Sequence, residues 1–284
     1  MYESEFRLDD SIIYLNHAAV SPWPQRTADA VKRFADENVA VGSRNYPTWV
    51  ATESALRQQL QQLINAACSD EIALLKNTSE ALSVVAYGLP WKSGDNVVIT
   101  SQEFPSNRVV WESLQKYGVT TRAVGINAGD SPETAILDAL DDNTRLLSVS
   151  AVQYGSGLKL DLCILGAACR KKGILFCVDA IQSLGAVRFD VQACQADFVM
   201  ADAHKWMLGP EGIALFYCRQ AVMERLDLKQ YGWHMLEDMH NFDNKNWAIA
   251  GSARRFECGS PNMTGIHALH ASLSLILETG LQTI

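Results

Sequence analysis

The sequence lacks long apolar runs and clusters of positive charge. No run approaches the roughly 20 apolar residues that cross a bilayer, although hydrophobic residues make up 48% of the 284 positions. The 24 Lys and Arg residues are outnumbered by 32 Asp and Glu residues, which gives a net charge of −8 at pH 7. This net negative charge repels the phosphate backbone of a nucleic acid. The basic residues are scattered along the sequence and form no local patch that would overcome the repulsion. We therefore expect a globular protein that binds neither a membrane nor a nucleic acid.

The seven cysteines are an odd number and form no Cys-x-x-Cys pair. The amino terminus, Met1 to Asp10, has no apolar signal core, so we expect a reduced, cytoplasmic protein. Five cysteines lie in or beside apolar segments, and we predict that they pack as small buried hydrophobic residues. These are Cys163, Cys169, Cys177, Cys194 and Cys218. Cys68 and Cys258 remain unassigned, and neither is expected to be a nucleophile.

Several sequence patterns of common enzymes are absent. Gly155-Ser156-Gly157 lacks the third glycine of a dinucleotide loop, and the sequence has no Gly-x-Ser-x-Gly elbow and no Gly-Lys-Ser/Thr phosphate loop. His234 and His240 are not spaced to share one helix face, so we expect no zinc site. These absences argue against a dehydrogenase, a serine hydrolase and a nucleoside triphosphatase.

What the sequence does contain is an alternation of strand-like and helix-like segments. Strands are predicted at Ile72–Leu75, Val97–Thr100, Thr120–Ile126, Leu146–Val152, Ile174–Val178, Phe198–Met200 and Ile213–Tyr217. Helices are predicted at Glu53–Asn65, Glu80–Gly88, Asn107–Lys116, Thr134–Leu140 and Leu162–Lys172. This pattern predicts an α/β fold whose mostly parallel sheet lies between helices. Ligands of such sheets bind beyond the carboxyl ends of the strands.

Two of these strand ends carry residues that suit an anion and a cation. Thr78 and Ser79 open a helix after Asn77, and free backbone N–H groups with two hydroxyls can hold a phosphate. An ordinary helix cap is the alternative, because Asn77 and Glu80 resemble a capping box. Asp179 ends an apolar strand, where a carboxylate is costly to bury without a charged partner. A capping Asp is the alternative there.

Two further strand ends carry an amine and an aromatic ring. Lys205 lies between apolar strands beside His204 and Trp206, and a lysine drawn out of water becomes a usable nucleophile. A solvated loop lysine is the alternative. Phe104 follows another strand, where core packing would also explain it. A phosphate site, a buried acid, an aromatic face and an amine together describe a pyridoxal phosphate site.

With these residues, the sequence resembles class V aminotransferases of the fold type I pyridoxal-phosphate enzymes. It is most similar to the branch that holds cysteine desulfurases (selenocysteine lyases) and isopenicillin N epimerase-like proteins. The similarity runs from Tyr14–Ala19 to Arg255–Asn262, and its most specific stretches are Val178–Gln182 and His204–Trp206. It implies a large domain with a mixed, mostly parallel seven-stranded sheet between helices.

The resemblance also implies roles for individual residues. Lys205, Asp179 and His204 match catalytic positions: Lys205 forms the internal Schiff base with pyridoxal 5′-phosphate, and Asp179 keeps the pyridine nitrogen protonated. The other cofactor-binding positions implied are Gln182 at the phenolic oxygen, Thr78, Ser79 and His204 at the phosphate, Phe104 stacked on the ring, and Ser260 at the phosphate of the neighbouring subunit. A homodimer with shared active sites follows. Gln153 is a further candidate for the pocket wall.

Two departures from the family pattern stand out. Asp202 occupies a place where many desulfurases have a phosphate-binding Ser, and we expect it to orient His204 instead. The family pattern also divides the chain into an arm over residues 1–25, a cofactor-binding large domain over 26–262, and the start of a connecting helix over 263–284. The small carboxy-terminal domain, which carries the substrate-binding Arg and any catalytic Cys, is expected to be largely absent.

Several functions are compatible with this reading. The favoured one is an enzyme that acts on an amino acid, most similar to cysteine desulfurase or selenocysteine lyase. An aminotransferase and an isopenicillin N epimerase-like racemase are alternatives that share the same carbanion chemistry. A truncated homologue that binds cofactor with little activity or serves as a binding partner is another alternative, and a fragment of a larger enzyme is a third.

Overall fold

Seven strands form a single sheet in the computed structural model, which describes residues 2–126 and 131–284. Met1, in the predicted arm, and residues 127–130, in the predicted large domain, lie outside the described residues. The strands are β1 Ile72–Leu75, β2 Asn96–Thr100, β3 Thr120–Val124, β4 Thr144–Ser150, β5 Leu175–Asp179, β6 Phe198–Asp202 and β7 Ala214–Cys218. Their order across the sheet is β1-β7-β6-β5-β4-β2-β3.

The sheet is mixed and mostly parallel, as the sequence predicted. Strands β2 to β6 pair in parallel, whereas β7 runs antiparallel to both β6 and β1. The register places Ser150 beside Asp179 and Asp179 beside Met200. The carboxyl ends of three central strands therefore meet at one edge of the sheet, where the predicted site residues follow.

Eight α-helices lie among the described residues. They are α1 Gln25–Val41, α2 Tyr46–Ile64, α3 Thr78–Gly88, α4 Ser106–Glu112, α5 Pro132–Asp138, α6 Leu162–Lys172, α7 Gln220–Met223 and α8 Met263–Thr279. Side-chain caps fix several helix starts: Asn77, Ser131, Asp161 and Asn262 each accept a hydrogen bond from a backbone N–H of the first turn. Helix α8 packs against α1 and α2.

Two hydrophobic clusters explain why the strands are apolar on both faces. One cluster includes Leu56 of α2, Phe176 of β5 and Leu269 of α8. The other includes Leu82 of α3 and Phe216 of β7. Because helices cover both faces, strands β5 and β7 are buried along their whole length.

The structure corrects two expectations from the sequence. Helix α1 was not among the predicted helices, and its buried residues are Thr27 and Ala30. Cys163 is exposed rather than buried, since the sheet-facing positions of α6 are Leu165, Gly166 and Cys169. The other four cysteines of that prediction are buried. Among residues 2–126 and 131–284, no helix is long and apolar enough to cross a membrane.

Candidate active site

Lys205 lies in the loop that follows β6, with its amine held close to an aromatic ring. Its Nζ is 5.7 Å from the centroid of the Phe104 ring. Burial lowers the pKa of Lys205, while the carboxylates of Asp179 and Asp202 act in the opposite direction. A lowered pKa makes the neutral amine more available at neutral pH. The structure therefore brings together the predicted amine and the predicted stacking ring.

The loop that carries Lys205 packs tightly on the turn after β5. Gly185 has a φ of +99°, and a Cβ there would lie 2.0 Å from the carbonyl oxygen of Trp206. Trp206 Nε1 also donates a 2.8 Å hydrogen bond to Gln182 Oε1. Only glycine allows this approach of the two backbones, so the turn after β5 fixes the position of the Lys205 loop.

Asp179 is the last residue of β5 and is only 2% exposed. Its Oδ1 accepts a 3.1 Å hydrogen bond from Ile181 N–H. Burial raises the pKa of Asp179 to about 7, an effect that the Ile181 bond opposes and the nearby Glu103 carboxylate reinforces. A cationic partner would stabilise the ionised form of Asp179, because its charge compensates for the hydration that the carboxylate loses on burial.

The start of α3 is built as the sequence predicted, with one addition. Asn77 Oδ1 accepts from Glu80 N–H at 2.8 Å, and Glu80 Oε2 accepts from Lys76 N–H at 2.7 Å. Thr78 is buried, whereas Ser79 is exposed with its Oγ 2.8 Å from Ser106 Oγ. The structure shows the Asn77 cap, whereas the anion site stays a prediction.

The addition is Asp202, the last residue of β6. Its Oδ1 accepts a hydrogen bond from the backbone N–H of Thr78 and a 3.2 Å bond from Thr78 Oγ1. Its Oδ2 lies 3.5 Å from His204 Nδ1, which agrees with the expectation that Asp202 orients His204. Burial raises the pKa of Asp202 and lowers that of His204.

Glu103 is a site residue that the sequence reading did not single out. Its buried carboxylate accepts hydrogen bonds from side chains of Thr100, Asn107, Ser150 and Gln153 and from the backbone N–H of Ser150. These donors tie the end of β2 to the end of β4. The sequence feature that could have identified Glu103 is its position as an acid at a strand end, next to Phe104.

Gln153 also faces this network. It is 1% exposed, and its Nε2 donates to Glu103 Oε1 at 3.2 Å. Its Oε1 is buried and has no hydrogen-bond partner among the described residues. A buried amide oxygen without a donor is costly, which agrees with a position in the wall of a ligand site.

The amino-terminal arm lies over the Lys205 loop. Ser21 N–H donates to the carbonyl oxygen of His204 at 2.8 Å, and Gln182 Nε2 donates to that of Ala18 at 2.9 Å. The His17 ring stacks on Trp206 with centroids 5.7 Å apart. Gln182 therefore has one amide hydrogen left for another acceptor.

Ser260 is not brought to these residues. It is exposed and borders a small groove of about 200 Å³ with Lys76 and Glu80. Among the described residues, no hydrogen bond joins Ser260 to Thr78, Asp179 or Lys205. Its predicted role in a neighbouring subunit remains a prediction.

Comparison with known proteins decides the family. The model of the class-V aminotransferases matches residues 13–284. The chain belongs to the class-V aminotransferase family. It is 32% identical over 277 residues to a probable cysteine desulfurase of Methanothermobacter thermautotrophicus, an alignment that covers 96% of this chain and 68% of the relative. The match to a cysteine desulfurase of Yersinia pestis is also 32% identical and covers 96% of this chain and 69% of the relative.

A solved structure has the same fold as this class-V aminotransferase. The apo structure of a cysteine desulfurase from Thermococcus onnurineus superposes with a TM-score of 0.84 at 27% identity, covering 96% of this chain and 69% of that one. Class-V aminotransferases use pyridoxal 5′-phosphate, and the chain is a pyridoxal-phosphate-dependent enzyme. The confirmed predictions are thus the family, the fold and the cofactor.

The residues present fit this cofactor. Asp179 is a buried carboxylate that gains from a cation, Gln153 Oε1 is buried without a donor, and Lys205 is a desolvated amine. Hydroxyls at the start of α3 and the ring of Phe104 complete the set. The Asp202 carboxylate opposes an anion at this helix start.

A second cluster of titratable side chains lies at the far edge of the sheet. Glu53, His234 and Glu257 are buried, and their potential ligand atoms lie within 4.8 Å of one another. The Arg57 guanidinium bonds both carboxylates, with Nη1 2.6 Å from Glu257 Oε1. Because the Arg57 guanidinium bonds both carboxylates, we interpret the cluster as an ion-pair network rather than a metal centre.

Proposed function

We propose that the chain acts on an amino acid through a Schiff base between Lys205 and pyridoxal phosphate, in the manner of a cysteine desulfurase or selenocysteine lyase. The observation that carries this proposal is the position of the Lys205 amine, which faces Phe104 and is influenced by the charge of Asp179. The relatives named as cysteine desulfurases support the reaction class.

When bound, the cofactor supplies an electron sink for carbanion chemistry at the amino acid. Lys205 Nζ would hold the cofactor at its aldehyde carbon and would supply the amine that moves a proton at the substrate carbon. The lowered pKa of Lys205 suits both tasks, because the amine must lose and regain a proton near neutral pH.

Asp179 and the α3 start bind the two ends of the cofactor in this proposal. Asp179 holds the proton on the ring nitrogen, and the buried site strengthens that interaction. Thr78, Ser79 and His204 hold the phosphate, with the N-terminal dipole of α3 favouring negative charge. The free amide hydrogen of Gln182 binds the phenolic oxygen, and Phe104 stacks on the ring.

We also propose that residues 26–262 form the cofactor-binding domain and that two copies of it share their active sites. Phe104 is 44% exposed, and Ile13 and Leu15 of the arm are 89% and 85% exposed. A two-fold interface would cover these apolar side chains and bring Ser260 of one copy to the phosphate of the other. We further propose that the protein acts in the cytoplasm, a reducing compartment in which free cysteines are usual.

Borohydride reduction of the cofactor-loaded protein tests the covalent assignment. Peptide mapping is expected to find the pyridoxyl group on Lys205, and Lys205→Ala is expected to lose both the label and the visible absorbance. Lys159→Ala, a lysine of another loop, serves as the control and is expected to keep both. A label on any other lysine rejects the assignment.

An amino-acid panel tests the reaction. In the presence of a dithiol reductant, which supplies the two electrons, release of sulfide or selenide with formation of alanine supports the proposal. A keto acid supports an aminotransferase, and a racemised product supports an epimerase-like enzyme. Sedimentation tests the shared site: a monomer that is fully loaded with cofactor at working concentration contradicts it.

A further inference from the structure

The carboxylate of Asp202 lies where an anion-binding helix start offers its donors. The Thr78 backbone N–H and the Thr78 hydroxyl both donate to Asp202 Oδ1, and the backbone N–H of Asp202 donates to Thr78 Oγ1 at 3.1 Å. In addition, the Glu80 N–H is bonded to Asn77 Oδ1. Asp202 therefore already accepts hydrogen bonds from the Thr78 donors that a phosphate at this helix start would use.

The negative charge of Asp202 is most simply neutralised by a proton when a phosphate binds nearby. His204 Nδ1 lies 3.5 Å from Asp202 Oδ2. Lys205 favours the ionised form of Asp202, but Lys205 also faces Asp179 and is the amine that binds the cofactor. Glu211 contributes negative charge near His204, as Asp202 does near Asp179. A phosphate dianion placed beside these acids is repelled unless one of them is neutralised.

We propose that Asp202 is a phosphate-site residue and that the Asp202–His204 pair takes up one proton from solvent when the phosphate of the cofactor binds. This inference rests on the proposed function. The proton lies between Asp202 Oδ2 and His204 Nδ1, so the pair presents no net negative charge to the phosphate. His204 then points its other ring nitrogen away from Asp202 as a potential donor.

The direction of the pH effect follows from linkage. If binding takes up a proton, affinity for the phosphate falls as pH rises above the pKa of the free pair, by up to about tenfold per pH unit. Burial already raises the pKa of Asp202, and a bound dianion raises the proton affinity of the pair further. A phosphate ester has its own second pKa at about 6, so measurements between pH 7 and pH 9 avoid titration of the phosphate itself.

Calorimetry with 4′-deoxypyridoxine 5′-phosphate tests this inference, because that probe has no aldehyde and forms no covalent bond with Lys205. Titrations of the cofactor-free full chain in buffers of different ionisation enthalpy give the number of protons taken up. Asp202→Asn keeps an oxygen acceptor for Thr78 N–H, and Asp202→Ser provides a second neutral variant. The control ligand is 4′-deoxypyridoxine without phosphate, which shares the ring nitrogen and its proton.

The parent protein is expected to take up about one proton more than Asp202→Asn at pH 8, and only with the phosphorylated probe. Asp202→Asn and Asp202→Ser are expected to bind that probe about tenfold more tightly at pH 8.5, with a smaller gain at pH 7. Equal proton uptake and unchanged affinity in the variants overturn the inference while leaving the proposed function intact. Failure of the folded parent to bind either pyridoxal phosphate or the probe overturns both.

Discussion

Trp206 Nε1 donates a 2.8 Å hydrogen bond to Gln182 Oε1 and thereby joins the Lys205 loop to the turn after β5. Gln182 is buried and its Nε2 is bonded to Ala18. Trp206→Phe keeps an aromatic ring but removes the only N–H of that side chain. The amide oxygen of Gln182 is then left without its donor, which costs about 1–3 kcal/mol.

We predict that Trp206→Phe weakens cofactor binding about tenfold or more, because the amide of Gln182 is free to rotate. Spectroscopic titration with pyridoxal phosphate measures the change. Trp91→Phe is the matched control: Trp91 Nε1 donates to Ala86 O, far from Lys205. The control is expected to lose stability while it keeps its cofactor affinity, and equal affinities in all three proteins contradict the prediction.

Gly185→Ala is predicted to disrupt the Lys205 loop. A Cβ at Gly185 would lie 2.0 Å from Trp206 O, and the φ of +99° is unfavourable for alanine. Gly173→Ala has a similar conformational cost, at a φ of +70°, but nothing lies within 4 Å of its added carbon. We expect Gly173→Ala to cost about 1 kcal/mol and to retain full cofactor loading. Loss of loading in Gly185→Ala, measured by absorbance, is the expected result; full loading contradicts it.

The strand ends that carry Asp179, Lys205 and Phe104 were predictable because the alternating pattern places consecutive strands in one sheet. Their meeting at one edge follows from parallel pairing. The Glu103 network was not predictable, because its donors at Ser150 and Gln153 lie 47 and 50 residues further along the chain. Such contacts depend on register and side-chain packing, which local periodicity does not specify.

The same limit applies to Asp202. The sequence predicted its contact with His204, which lies two residues away, but not its bonds to Thr78, which lies 124 residues away. Helix α1 takes part in another long-range contact, in which the hydroxyl oxygens of Thr27 and Ser272 lie 2.7 Å apart. These residues are 245 positions apart in the chain, so local periodicity does not specify this contact either.

Arg57 is predicted to be the most important ion-pair residue for stability among the pairs described here. Its guanidinium bonds Glu53, Glu257 and the carbonyl oxygen of Ile72, and the Glu53 and Glu257 charges raise its pKa against the effect of burial. Arg57→Met leaves both buried carboxylates without their cation, which costs about 3–5 kcal/mol.

The surface pair of Arg108 and Glu112 provides the control for that variant. These side chains are 47% and 48% exposed, and exposed helix pairs contribute about 0.3–0.5 kcal/mol. Denaturant unfolding of Arg57→Met and Arg108→Met compares the two. Similar losses of stability in both variants contradict the prediction.

Asp179→Asn is predicted to retain the cofactor but to lose about 10² or more in kcat, comparable to the loss of one electrostatic stabiliser. The amide no longer holds a proton on the ring nitrogen. Asp197→Asn is the matched control, because Asp197 is also buried but pairs with Arg219, which directly follows β7. We expect that control to lose stability rather than rate. Steady-state assays on the amino acid identified by the panel decide between these outcomes.

The cofactor-free protein is predicted to lose stability at Asp179 as pH rises from about 4 to about 7. The pKa of this carboxyl is raised by burial from 3.8 to about 7, so the folded state binds a proton that the unfolded state has released. That contribution is fully present below the unfolded pKa and is lost as pH rises through the folded pKa. Because one pKa unit corresponds to about 1.4 kcal/mol, the contribution is at most roughly 4 kcal/mol.

Denaturant unfolding at pH 5 and pH 8 should show Asp179→Asn gaining stability relative to the parent at the higher pH. A parallel pH dependence in the two proteins shows instead that Asp179 ionises without cost, and the buried acid then has no need of a cationic partner.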